Sequence, residues 1–224
     1  SNHGSALPGV LAGFASSTAL TISCARRRRG EAPLARSFAL AILIASTLMF
    51  ARILVIVASI SAPLGRALAL PMAIIMAVAV LICLAIWFSL RREPDQKSQA
   101  GPIEVANPLA IRSAIQFGLL FGVILFVSKA AQVFVGSSGI LLSSMIAGLA
   151  DVDAIALSLS NLADGGTIST QIAARGIILA ALTNTAMKTA LAAFIGVPAL
   201  RRNLAPAFGL IIIAGLLTIL LVMR

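Results

Sequence analysis

The sequence predicts an all-α, polytopic membrane protein of about seven helical segments arranged as two related repeats. Three observations carry this. Apolar residues make up 60% of the 224 positions and charged residues only 11%, against ~25% charged in a typical soluble domain. The apolar residues form long unbroken runs, and their total is the material for about seven spans of ~20 residues. The second half of the chain repeats the pattern of the first. A soluble domain is excluded because its charged shell cannot be built, and disorder because the apolar content is too high. A porin-type barrel needs short alternating strands and aromatic girdles; here aromatics are 5%, with one Trp and no Tyr.

The segments fall at about 6–25, 37–60 and 67–90, then 112–135, 139–163, 173–196 and 206–223. They must be helices, since in lipid the backbone has to bond within its own segment. The Pro-, Gly- and charge-rich run RREPDQKSQAGPIEVANP at 91–108 opens a polar linker. The chain accordingly divides into a first repeat at 1–90, the linker at 91–111 and a second repeat at 112–224. Placing 9–23 on 144–158 puts Gly13 on Gly148, Ser16 on Asp151 and Thr18 on Asp153. Placing 35–49 on 173–187 puts Ser46 and Thr47 on Asn184 and Thr185, and Met49 on Met187. Segment 112–135 has no counterpart before residue 6, so the first repeat is expected to lack its initial helix.

The net charge of +10 reads as membrane topology and not as nucleic-acid binding, because its arginines sit in short loops and stacking aromatics are scarce. If every segment crosses, Arg26 to Arg29, Arg36, Arg91, Arg92, Lys97, Arg112, Arg175 and Arg224 share one side, and Arg66, Arg201 and Arg202 the other. The richer side is the cytoplasm. If 6–25 and 139–163 are instead re-entrant hairpins, the second half inverts and the totals are unchanged. Inverted repeats with broken helices occur in secondary transporters, so both topologies stay open. Cys24 and Cys83 are far apart and His3 is the one histidine. No disulfide framework, metal site or cofactor is signalled, and no HExxH or GxSxG motif points to an enzyme.

Charge near mid-bilayer costs about 2.5–3.5 kcal/mol on insertion scales, so charged residues inside the runs require a reason. Asp151 and Asp153 fall near the middle of 139–163. On a regular helix they would point ~200° apart; if the helix unwinds at GLADVD both can serve one site. They read either as a cation or proton site, or as one Asp paired with a buried Lys and the other capping a half-helix. Lys188, with Asn184 one turn before it and Thr183 and Thr185 flanking that face, is the expected partner. Arg52 and Lys129 are read as snorkelling to an interface. Ser16 and Thr18 are the first-repeat equivalents, giving a candidate ligand set of Asp151, Asp153, Asn184, Lys188, Thr183, Ser16 and Thr18. The small-residue pairs Gly9/Gly13, Gly118/Gly122 and Ser144/Gly148 read as close helix packing, with 6–25 expected against 139–163.

The stretches GFASSTALTISCARRRR, NPLAIRSAIQFGLLFGVILFVSKAAQ, GLADVDAIALSLSNLA and ILAALTNTAMKTALA, with their phrases SSTA, NPxxxRSA, ADVDAI and LxNTxxK, resemble the bacterial membrane domain of unknown function that follows an MgtC/SapB-type domain. The resemblance spans essentially the whole chain. It implies a bacterial inner-membrane protein, a preceding MgtC/SapB-like membrane domain as partner, and a link to magnesium homeostasis, with no catalytic residues to carry over. The function expected is a permease for a small ion or solute, cation- or proton-coupled; the alternative is a non-transporting regulatory or scaffolding module that binds another membrane protein. Lipid is an expected partner, self-association is open, and nucleic acid is not expected.

Overall fold

The computed structural model describes residue 21 and residues 35–91, 139–149, 151–194 and 198–222. Every regular element among them is an α-helix: α1 Ala35–Ile60, α2 Ala62–Arg91, α3 Gly139–Leu149, α4 Val152–Asp164, α5 Thr170–Phe194 and α6 Pro198–Leu221. Four of these, α1, α2, α5 and α6, are long and apolar enough to cross a membrane. They overlap four of the expected segments, α2 and α6 starting at Ala62 and Pro198 where 67 and 206 are expected. Segment 112–135, and 6–25 apart from Thr21, lie outside the described residues, and with them Gly9, Gly13, Ser16, Thr18, Gly118, Gly122 and Lys129. Segment 139–163 is not one rod but the two short helices α3 and α4.

Local chemistry accounts for the boundaries. α1 runs for 26 residues without Gly or Pro. It gives way to α2 across Ser61 alone, whose N–H bonds Val57 O and whose carbonyl accepts from Gly65 N. Pro63 then sits in the first turn of α2, where its missing donor costs nothing. A Cβ on Gly65 would lie 2.9 Å from Ala58 Cα, so the chain doubles back there and glycine is what permits it. α4 ends on Gly166, at φ +70. Gly166 N bonds Ala163 O and Thr167 N bonds Leu162 O, the pairing of a Schellman cap, for which a glycine at positive φ is the natural residue. Ser169 caps α5 by accepting from Ile172 N at 3.3 Å. Pro198 opens α6 at its first position.

The described residues gather into two compact units. One contains α1 to Met49, α2 from Met76, α5 from Met187 and α6 to Ile211. Its core includes Ile42, Leu43, Ala79, Leu204 and Phe208. The other contains α1 and α2 from Phe50 to Ile75, then α3, α4, α5 to Ala186 and α6 from Ile212. Phe50, Ile53, Leu64, Leu68, Leu159 and Ile177 are fully buried within it. Half of the most apolar window of α1 and of α5 is buried, against 22% for α2 and 33% for α6. The outer faces of α2 and α6 present Leu81, Phe88, Ile213 and Leu220. In water such faces would be a liability; they are the faces a bilayer covers.

In the second unit α3 lies flush against α5. A Cβ on Gly148 would collide with the Ala180 carbonyl and Cα, and one on Gly176 would come within 2.9 Å of Ser144 Oγ. Ser144 and Gly148 thus face Gly176 and Ala180 in step, both four apart, so the two helices run parallel there. The small-residue pair does make a close helix contact, but among the described residues its partner is α5. Gly148→Ala is expected to destabilise the fold by about 1–3 kcal/mol, because backbone has to move. Gly209→Ala in α6, where an added Cβ meets nothing within 4 Å, should be neutral or gain up to about 1 kcal/mol. Thermal unfolding in detergent checks both.

Candidate functional site

The interruption between α3 and α4 organises the site. Asp151 has φ −152 and ψ 118, an extended conformation that no helix continues through. Its N–H still reaches back to Ala147 O at 2.9 Å, closing the last turn of α3. Its side chain turns forward: Oδ1 accepts from Asp153 N at 2.9 Å. Asp151 is therefore the N-cap of α4 and satisfies one of the amides that a helix start leaves open.

The break also strips carbonyls at the end of α3 of their helical donors. One of them, Gly148 O, accepts from Asn184 Nδ2 on α5 at 3.0 Å. The contact is possible because Gly148 sits on the α5 backbone one turn earlier, at Ala180. Asn184 is buried at 3% exposure, in the middle of α5, ~21 Å from its start at 1.5 Å per residue. Its other polar atom, Oδ1, meets no donor among the described residues. A buried acceptor left that way costs about 1–3 kcal/mol, so a group bringing a donor or a positive charge is favoured there.

Asp153, in the first turn of α4, pairs with Arg52 of α1: Nη2 to Oδ2 is 2.5 Å. The carboxylate also lies at the positive end of the α4 dipole. The side chains are 38% and 28% exposed, so the pair opens on one side. Arg52 was expected at an interface and Lys188 beside the aspartates; the ion pair seen is Arg52–Asp153. The cost that singled out Asp153 applies equally to Arg52, which stands ~12 Å inside the end of α1, and that was the signal available in the sequence.

Lys188 belongs to the first unit. It is fully buried, and its Nζ donates to Met49 Sδ at 3.2 Å, a weak acceptor. Thr183 Oγ1 donates back to Leu179 O at 2.8 Å, and Thr185 Oγ1 to Ala181 O at 2.9 Å, so both hydroxyl protons are used within α5. The second unit thus brings together Asp151, Asp153 and Asn184 of the expected ligand set and adds Arg52. Among the described residues no three His, Cys, Asp or Glu side chains gather as a metal site would need.

A family model for a domain of unknown function, DUF4010, matches residues 1–196. The chain belongs to the DUF4010 family. An uncharacterized protein from Aquifex aeolicus (strain VF5) is 30% identical over 190 residues, which is 85% of this chain and 81% of that one. No solved structure matches. Membership of DUF4010 brings no activity with it, so what the site does has to be argued from its atoms.

The first test is energetic. Asp153→Asn and Arg52→Gln are each expected to cost about 1–3 kcal/mol, a buried-pair penalty lowered by the partial exposure. The double variant should cost about 1 kcal/mol less than the sum of the two. Unfolding of the four proteins in detergent measures that difference.

Proposed function

We propose that this DUF4010 chain is a bacterial inner-membrane permease for a small ion or solute, cation- or proton-coupled, with no enzymatic step. The supporting observation is the paired break: Asp151 caps the start of α4 while Asn184 takes up the Gly148 carbonyl released at the end of α3. Discontinuous helices whose ends meet inside the membrane are the way many transporters build sites from backbone dipoles. Here the break has a carboxylate at its positive end, an Arg held against it, and a buried acceptor, Asn184 Oδ1, beside it. A cation or a proton-bearing group has matching chemistry there. The link to magnesium, and a preceding MgtC/SapB-like domain, rest on the sequence resemblance alone.

The scaffolding reading rests on small-residue faces. Ser144 and Gly148 are used against α5, while Gly118 and Gly122, on which a partner-crosslinking test depends, lie outside the described residues. The deciding measurement is flux. The protein is reconstituted into liposomes loaded with a magnesium-sensitive or a pH-sensitive dye, and a gradient of Mg²⁺ or H⁺ is imposed. Flux above protein-free vesicles is expected for one of the two. Asp153→Asn and Asn184→Leu, checked for monodispersity, should lower it about tenfold or more, the worth of one lost buried contact. Wild-type vesicles no faster than empty ones, or variants at the wild-type rate, would overturn the proposal.

A further inference from the structure

Within the first unit α1 and α2 leave an open cleft of about 260 Å³. Leu40, Ile44, Thr47 and Leu48 form one wall and Val80, Cys83, Leu84 and Trp87 the other, each a stripe at helical spacing. The one side-chain oxygen in the lining, Thr47 Oγ1, bonds Leu43 O at 2.8 Å and also pairs with the Cys83 thiol, so both polar side chains of the lining already have partners. The walls therefore recognise hydrocarbon. From Val80 to Trp87 the cleft follows α2 for ~10 Å, the run of part of a fatty-acyl chain.

One end of this groove is cationic. Arg91, the last residue of α2, places its guanidinium 4.9 Å from the centroid of the Trp87 ring. Trp87 is thus both groove wall and support for a positive charge. A Trp–Arg pair at the end of an apolar helix is the chemistry of the membrane interface. Guanidinium in turn matches phosphate in charge and geometry. A second copy of this chain is a poor occupant, because it carries the same +10 charge toward Arg91.

We infer that the α1–α2 cleft is a binding site for an anionic phospholipid, one acyl chain lying between Thr47 and Trp87 and the phosphate at Arg91. The site is separate from the α3–α4 break and stands whether or not the chain transports anything.

Trp87 is the one tryptophan of the chain, so its fluorescence reports this groove alone. The full chain is reconstituted in phosphatidylcholine vesicles containing equal fractions of either dibrominated phosphatidylglycerol or dibrominated phosphatidylcholine. Quenching by the brominated phosphatidylglycerol should be about threefold stronger at low mole fraction, the worth of one exposed charge-assisted contact. Arg91→Gln should remove that excess. Arg66→Gln, at the other end of α2 with the same loss of charge, should keep it, which separates a site from general attraction to a basic protein. Val80→Phe, which fills the groove, should lower quenching by both lipids. Equal quenching by the two lipids, an excess that survives Arg91→Gln or is lost in Arg66→Gln, no fall in quenching with Val80→Phe, or a Trp87 that neither lipid reaches because protein covers it, would each overturn the assignment.

Discussion

A backbone polar group buried away from water has to find its partner within the protein, and that constraint governs the central feature of this chain. Interrupting a helix at Asp151 opens carbonyls on one side and amides on the other. Each such group left buried and unpaired costs about 1–3 kcal/mol. The break persists because neighbours supply the missing partners: Ala147 O is met by Asp151 N, Gly148 O by Asn184 Nδ2, and Asp153 N by Asp151 Oδ1. Side chains that look like ligands in sequence are therefore first of all parts of the backbone's hydrogen-bond accounting. Asp151 and the amide nitrogen of Asn184 are committed to it, whereas Asp153 Oδ2 is taken by Arg52 and Asn184 Oδ1 meets no donor among the described residues.

The same constraint links packing to chemistry. Asn184 reaches the Gly148 carbonyl only because Gly148 has no side chain to hold α3 off the Ala180 backbone. A stripe of small residues, read on its own, is a packing device. Here it also sets the distance over which an amide side chain can close the end of another helix. Arg52 is treated similarly by its surroundings: an arginine deep in an apolar helix is tolerated because Asp153 neutralises it.

Much of the helical architecture could be read from the sequence, because the length and apolarity of a span are local properties. α1 and α5 fall within a few residues of their expected limits. The start of α6 is set by Pro198, earlier than apolarity alone indicated, since the run LRRN hides a helix turn. The break at GLADVD was legible as a possibility, because two Asp in an apolar run cannot both be accommodated on a regular helix. Which base answers Asp153 was not legible. Lys188 and Arg52 are both basic residues inside apolar helices, and only the relative rotation and height of α1, α4 and α5 selects between them. The partner of the Ser144/Gly148 stripe was hidden for the same reason: small residues announce a close contact without naming the other helix.

The turn between α1 and α2 has a consequence for how much change the chain tolerates there. With Ser61 the only residue outside helical geometry between the two helices, and both of its backbone groups already bonded, the connection offers no slack. A residue inserted at this point would break the bond to Val57 O or the bond from Gly65 N and turn every later side chain of α2 by about 100° against α1.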